Sequence, residues 1–460
     1  MRDTIFYASK DEKITPQEIA HADLARKLAG ECMVLLENDG VLPLKSRGEI
    51  ALYGNGVRKT IQGGTGSGSV NTRSITNIEK GFEEAGFTVA NKAWLDANDE
   101  HYKKMQEAYQ EWLEEEGKRR NVPPFLVSFD HPFSEPAPYT ISEEEAAGCK
   151  AEIAVYVISR NSGEGKDREC REGDYLFYPE ELDGIRNLIA GGKKLIVVLN
   201  IGGVMQLTEL KKIKGISAIV LMNQLGNLGG NALVDLISGA VTPSGKLADT
   251  WAVEYKDYPS SATFSHNNGN VDEEYYQEGI YVGYRYFDSF GVTPLYPFGY
   301  GLSYTSFDIK PIKVEQKSEF IAVSVKVRNT GDYYAGKEVV QIYLSKPQGQ
   351  MDMPYQELVA FQKTGELGPG EEECIDLEFP LELLAGYDTD SAAYLVEAGD
   401  YIVRVGADSA STQAAAVLTV KSRTMLKQCE NMSFADEKQE EIKSVRKAVK
   451  EEALWKIQLD

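Results

Sequence analysis

Between Ser159 and Glu169 the chain reads Ser-Arg-Asn-Ser-Gly-Glu-Gly-Lys-Asp-Arg-Glu, directly after the apolar run Glu152–Ile158. Glu164 stands between two glycines, so its carboxyl group can project without crowding from flanking side chains. It is the candidate for general acid/base work, which calls for a pKa raised by burial or by a neighbouring carboxylate. Lys166, Asp167 and Arg168 are placed to orient the loop or to tune that acid. A solvated charged loop accounts for the same letters equally well. The second candidate is Gly63-Gly64-Thr65-Gly66-Ser67-Gly68-Ser69-Val70-Asn71. Its glycines permit tight turns and close ligand approach, and its serines supply short hydroxyls. It lacks the G-K-[ST] ending of a phosphate-binding loop and the G-x-G-x-x-G spacing of a dinucleotide site. A ligand-lining loop and a plain flexible turn remain open.

The other acidic clusters carry less. Glu143–Glu145 and Glu371–Glu373 read as solvated faces, while Asp249 and Asp272–Glu274 lack a comparable setting. Trp251, Tyr275, Tyr276, Tyr281, Tyr284 and Tyr286 make an aromatic-rich tract. They could stack on a ligand, but packing between domains is the simpler account. Four histidines without an H-E-x-x-H pattern argue against a histidine-based metal site.

These candidates must be carried by something. Apolar spacing over 16–37 predicts a helix, and Glu49–Gly54 reads as the first buried strand. A helix follows over Ile78–Ala85, then a charged, helix-prone excursion near 96–120. Strands over 152–158, 194–200 and 218–221 alternate with helices over 178–190 and 231–238. That alternation predicts an α/β domain, over 1–255, with a largely parallel sheet covered on both faces. Sites in such domains lie beyond the C-terminal ends of the strands, where both candidate loops fall. From about 311 to 425 the period becomes two, as in Phe320–Val327, Val339–Leu344 and Gly399–Val405, which predicts an all-β sandwich. Residues 256–310 would connect the two domains, and the Glu/Lys-rich 426–460 reads as a helical linker.

At 460 residues two or three domains are expected. With 49 basic and 71 acidic side chains the formal charge is −22, which disfavours nucleic acid and anionic lipid as partners. No signal-peptide h-region and no membrane-length apolar run is present, and five scattered cysteines read as reduced thiols. Together these predict a cytoplasmic setting.

In order along the chain come Ala25-Arg26-Lys27 and Gly30, Val34–Leu44, the GGTGSGS loop, SGEGKDR, Ser244-Gly245-Lys246-Leu247, Glu278–Tyr286 and Tyr296–Tyr304. In that order, followed by a β domain, they resemble glycoside hydrolase family 3, the β-glucosidase family. The resemblance implies an (α/β) sandwich domain followed by a fibronectin-type-III-like domain. It implies that Glu164 is the general acid/base, that Ser67 contacts the sugar, and that Lys166, Asp167 and Arg168 support the loop. No cofactor is implied. Family enzymes also use a TIM barrel carrying the aspartate nucleophile, and no eightfold β/α repeat is present here. The expectation is therefore a permuted domain order with the barrel absent from this chain and supplied in cis or in trans. The substrate expected is a β-glucoside or related oligosaccharide. A noncatalytic carbohydrate-binding or assembly module is the alternative.

Overall fold

Short β-branched runs flanked by helices give the N-terminal domain its central sheet. A computed structural model describes residues 12–164, 167–432, 440–444 and 452–459. The elements run α1 (Pro16–Cys32), β1 (Val34–Asn38), β2 (Glu49–Tyr53), α2 (Ile78–Glu84), β3 (Thr88–Val89), α3 (Lys92–Arg120) and α4 (Pro124–Asp130). They continue α5 (Glu143–Gly148), β4 (Ile153–Arg160), α6 (Pro179–Ala190), β5 (Lys194–Ile201), α7 (Thr208–Lys212), β6 (Ile216–Leu221) and α8 (Gly229–Ile237).

The sheet order is β1-β6-β5-β4-β2-β3, parallel except for β1 at one edge. From Leu195 to Ile201 β5 is buried without a break, as a sheet covered on both faces requires. Each fully buried Val, Leu or Ile contributes about 1.5–3 kcal/mol to holding these layers together. The path from β2 goes outward to β3 and then back across to β4. The switch point therefore lies between β2 and β4.

The predicted helix over 16–37 is shorter than expected. Thr15 and Glu18 form a capping box, but the helix stops at Cys32, and Val34–Asn38 is a strand antiparallel to β6. Only Ala29 and Gly30 of α1 are buried, so Ile19, Leu24 and Leu28 remain more than half exposed. The excursion is real: α3 buries Trp94, Leu95, Asn98, Tyr102 and Leu113 on one face, and ends on Asn121 in the left-handed conformation.

The aromatic tract is packed only in part, since Tyr275 and Tyr276 are exposed. Trp251 and Tyr281 are buried, α9 (Tyr284–Phe290) follows, and the Tyr284 ring stacks on Phe298 and meets Tyr343 edge-on. Leu302 pairs with Leu35 on the outer edge of β1. Ion pairs from Glu31 to Lys337 and Lys363, and from Lys246 to Glu338, also join the two domains.

The β domain starts at Phe307. It comprises β7 (Phe307–Lys317), β8 (Phe320–Asn329), β9 (Val339–Ser345), β10 (Glu357–Lys363), β11 (Glu372–Pro380), β12 (Gly386–Asp388), β13 (Ala393–Val396), β14 (Gly399–Gly406), β15 (Gln413–Val420), β16 (Thr424–Gln428) and β17 (Trp455–Leu459). The sheets are ordered β10-β9-β14-β15-β17, β11-β8-β7 and β12-β13-β16. The helical reading of 426–460 is corrected here. Thr424–Gln428 pairs with β13, and Trp455–Leu459 lies parallel to β15. Its Trp-Lys-Ile-Gln-Leu alternation turns Leu459 into the core and leaves Lys456 and Gln458 exposed. Of that segment, 433–439, 445–451 and 460 lie outside the described residues.

Candidate active site

The glycine-rich loop leaves β2 and the Glu164 loop leaves β4, so the two meet at the switch point, where α/β sheets open a crevice. Their contact is backbone against backbone. Thr65 and Gly163 form a β-bridge, and Glu164 N–H donates to Thr65 O at 3.3 Å. A Cβ at Gly163 would lie 2.3 Å from Thr65 N, and one at Gly64 would lie 2.8 Å from Ser162 O. Side chains at either position would force the loops apart.

Beneath the contact the loops are pinned. Asn200, fully buried near the end of β5, accepts from Ile61 N–H at 2.6 Å and donates to Ile61 O at 3.0 Å and Asn223 O at 2.7 Å. Ser162 Oγ donates to Gly202 O at 2.7 Å. At the root of the Glu164 loop, Arg160 is buried and forms a two-pronged pair with Glu181 at 2.6 and 2.9 Å. Arg160 Nε also donates to Asp174 O at 3.1 Å.

Glu164 itself is exposed, and its Oε2 accepts from Ser67 N–H at 2.7 Å. That bond holds the carboxyl below the ordinary glutamate range. Among the described residues nothing pushes Glu164 upward enough to make it an acid at neutral pH. Any upward push must come from a group brought against it.

The other expected site residues divide. Ser67 reaches Glu164 through its backbone amide and is exposed on a short 3₁₀ turn. Arg168 is paired with Asp174, whose Oδ2 accepts from Glu169 N–H at 2.8 Å, which braces the loop from behind. Asp167 is exposed, without a side-chain hydrogen bond or ion pair among the described residues. Lys166 lies outside the described residues. Asp249 does not join this site. It lines a separate cleft of about 680 Å³ between the two domains, and Asp272–Glu274 are exposed.

A cavity of about 460 Å³ adjoins Glu164. One wall comes from the Glu164 loop, with Asn161, Ser162 and Arg168. The other comes from the segment after α3, with Phe129, Phe133 and Glu135. Sequence reasoning missed Glu135 and Asn200. Asn200 carried a usable signal, as a polar residue closing the apolar run Leu195–Leu199. Glu135 carried none, because only the return of the excursion to the sheet places it here. Among the described residues no group of three or more His, Cys, Asp or Glu is placed to hold a metal, and no helix is long and apolar enough to cross a membrane.

Comparison with known proteins gives this geometry a family. The model of the glycosyl hydrolase family 3 C-terminal domain matches residues 33–284, and that of the fibronectin type III-like domain matches residues 338–409. Beta-glucosidase A of Butyrivibrio fibrisolvens is 34% identical over 448 residues, covering 87% of this chain and 51% of that protein. An exo-alpha-(1->6)-L-arabinopyranosidase of Bifidobacterium longum is 30% identical, over 85% of this chain and 47% of its own length. Among solved structures, beta-glucosidase 3B of Thermotoga neapolitana in complex with alpha-D-glucose superposes with a TM-score of 0.78 at 38% identity, covering 90% of this chain and 56% of that one. The chain thus spans about half the length of the relatives it matches. With more than half of its residues matched by that first model, and the second domain following in order, the chain belongs to glycoside hydrolase family 3.

Proposed function

We propose that this chain supplies the general acid/base of a retaining β-glucosidase, with Glu164 in that role, and that hydrolysis of terminal β-glucosyl residues needs a TIM-barrel domain carrying the aspartate nucleophile. The observation that carries this reading is Glu164 itself. It is exposed at the sheet's switch point, tethered by one amide and otherwise open. The exposed Ile19, Leu24 and Leu28 on α1 fit a further domain covering this end of the molecule. Names of relatives support a glucoside as substrate.

The chemistry follows from charge. Two carboxyl groups about 5–5.5 Å apart suit a double displacement. The nucleophile's negative charge would raise Glu164 into the range of an acid, so that it protonates the leaving oxygen. Once the nucleophile is esterified that charge is gone. Glu164 then relaxes toward its lower, tethered value and can take the proton from water. The same residue serves both steps because its neighbour's charge switches.

The test is hydrolysis of an aryl β-glucoside by this chain alone and together with a barrel, each unmutated and as Glu164→Gln. Activity confined to the unmutated, barrel-containing sample is expected. Equal activity in the variant would remove Glu164 from the mechanism. Sugar binding with no hydrolysis in any folded sample would leave a carbohydrate-binding module.

A further inference from the structure

Ile61 stands just before the glycine-rich loop and belongs to no strand. It still receives the pair of bonds that a strand neighbour would give. The buried Asn200 side chain accepts from its N–H at 2.6 Å and donates to its carbonyl at 3.0 Å. That side chain comes from β5, and β4 lies between β5 and β2. We propose that Asn200 is a positioning residue for Glu164, acting through the glycine-rich loop that it holds. The inference rests on Glu164 acting as the acid/base.

The hydrogen-bonding capacity of the Asn200 amide is engaged on every side. Its oxygen takes Ile61 N–H, one hydrogen goes to Ile61 O, and the other goes to Asn223 O at 2.7 Å. An aspartate there would keep the acceptor and give up both donors. Asn223 stands in the loop after β6 in the left-handed conformation, at φ 61°, and its own amide donates to Cys32 O at 3.2 Å. The same β6 loop holds the glycine-rich loop at both ends. Gly226 N–H donates to Gln62 O, and Thr76 N–H donates to Asn227 O, each at 2.8 Å. Between those ties, residues 63–75 form no α-helix or strand, only the short turn Gly66–Gly68 and the Thr65 bridge. Their placement therefore depends on the ties.

None of the three Asn200 bonds goes to the Glu164 loop. What reaches Glu164 is the glycine-rich loop, since Thr65 O takes the Glu164 N–H and Ser67 N–H holds the carboxyl. Glu164 is thus laid against a support whose position is set two strands away from β2. The Gln224 side chain, donating to Asn161 Oδ1 at 3.1 Å, also ties the β6 loop to the Glu164 loop, so both sides of the contact answer to one network. A displacement of about 1 Å in a reacting group can cost about 100-fold in rate. The Asn200 bonds decide whether that support shifts.

Leaving groups of different basicity separate this role from that of a core asparagine that only stabilises the fold. Methyl β-glucoside needs its leaving oxygen protonated, whereas 2,4-dinitrophenolate departs without a proton. In the barrel-containing protein, Asn200→Ala is expected to lower kcat/KM for methyl β-glucoside about 10- to 100-fold, and to leave that for 2,4-dinitrophenyl β-glucoside within about threefold. A loss of equal size on both substrates, or on neither, overturns the assignment. Where Asn200→Ala does not fold, Asn200→Asp is read in the same way. In this chain alone, amide hydrogen exchange at Ser67 and Glu164 is expected to quicken about tenfold in the variant, with Val157 in β4 unchanged. Uniform quickening, or none, overturns the assignment too. Should Glu164→Gln hydrolyse methyl β-glucoside as fast as the unmutated protein, the acid/base reading fails, and the exchange measurement still decides whether Asn200 holds the two loops together.

Discussion

Three residues separate Arg160 from Glu164, and the two ends of that stretch are built on opposite plans. At the root, Arg160 is buried, bidentate to Glu181 and bonded to the carbonyls of Ser159 and Asp174. At the tip, Glu164 is exposed and has one amide partner. The root spends its interactions on fixing where the loop starts, and the tip keeps its carboxylate available. A group that must change protonation during a reaction is poorly served by many fixed partners. A loop that must present it to within a fraction of an ångström is poorly served by a loose base.

The comparison can be broken at the tip first. Glu164→Gln in the barrel-containing protein should lower hydrolysis of unactivated β-glucosides about 100- to 10,000-fold, read by steady-state kinetics, with an unaltered melting temperature. A stability loss there would mean that the tip carries structure after all. At the root, Arg160→Ala should destabilise the α/β domain by about 3–5 kcal/mol, because it leaves Glu181 charged and unpaired inside. The denaturant midpoint of this chain reads that loss. Joint replacement, Arg160→Met with Glu181→Leu, should recover most of it, and failure to recover would assign the root's worth to its carbonyl contacts.

Gly66→Ala sharpens the boundary between the two. Gly66 has φ +74°, and a Cβ there would lie 2.6 Å from Glu164 Oε2. The left-handed backbone alone costs an alanine about 1–2 kcal/mol. The Ser67–Glu164 bond should open, seen as faster exchange of the Ser67 amide. The smallest effect concerns pH. Because the tether depresses the folded-state pKa of Glu164, its contribution to stability is present above the unfolded-state value and is lost as pH falls through the folded one. Carboxyl NMR of this chain should place its midpoint below that of an ordinary glutamate, and Ser67→Pro, which removes the donor, should move it up. A midpoint unmoved by Ser67→Pro would cancel the tether.

Much of this was readable from letters. The parallel strands announced themselves as apolar runs, and Glu164 stood out as a carboxylate isolated by glycines after one of them. Val34-Leu35-Leu36 was misread as helix because nothing between Cys32 and Val34 breaks the apolar spacing. Its strand character comes from β6, nearly 190 residues away. The last strand was hidden differently. Charged neighbours set a helical composition, although Trp455-Lys456-Ile457-Gln458-Leu459 alternates with period two. The cavity wall was out of reach, since no local pattern says that Phe129 and Glu135 return to the β4 loop.

Strand β1 has one further consequence, for the order in which the molecule is made. Val34 pairs with Leu221, so this strand, once made, waits for about 180 more residues before its partner exists. At about 5–20 residues per second that is about 10–40 s. Through that interval Val34, Leu35 and Leu36, all buried in the finished fold, have no sheet to join. A nascent chain with an apolar strand exposed that long invites chaperone capture, and slowing translation after β1 should lower the soluble yield more than slowing it after β6.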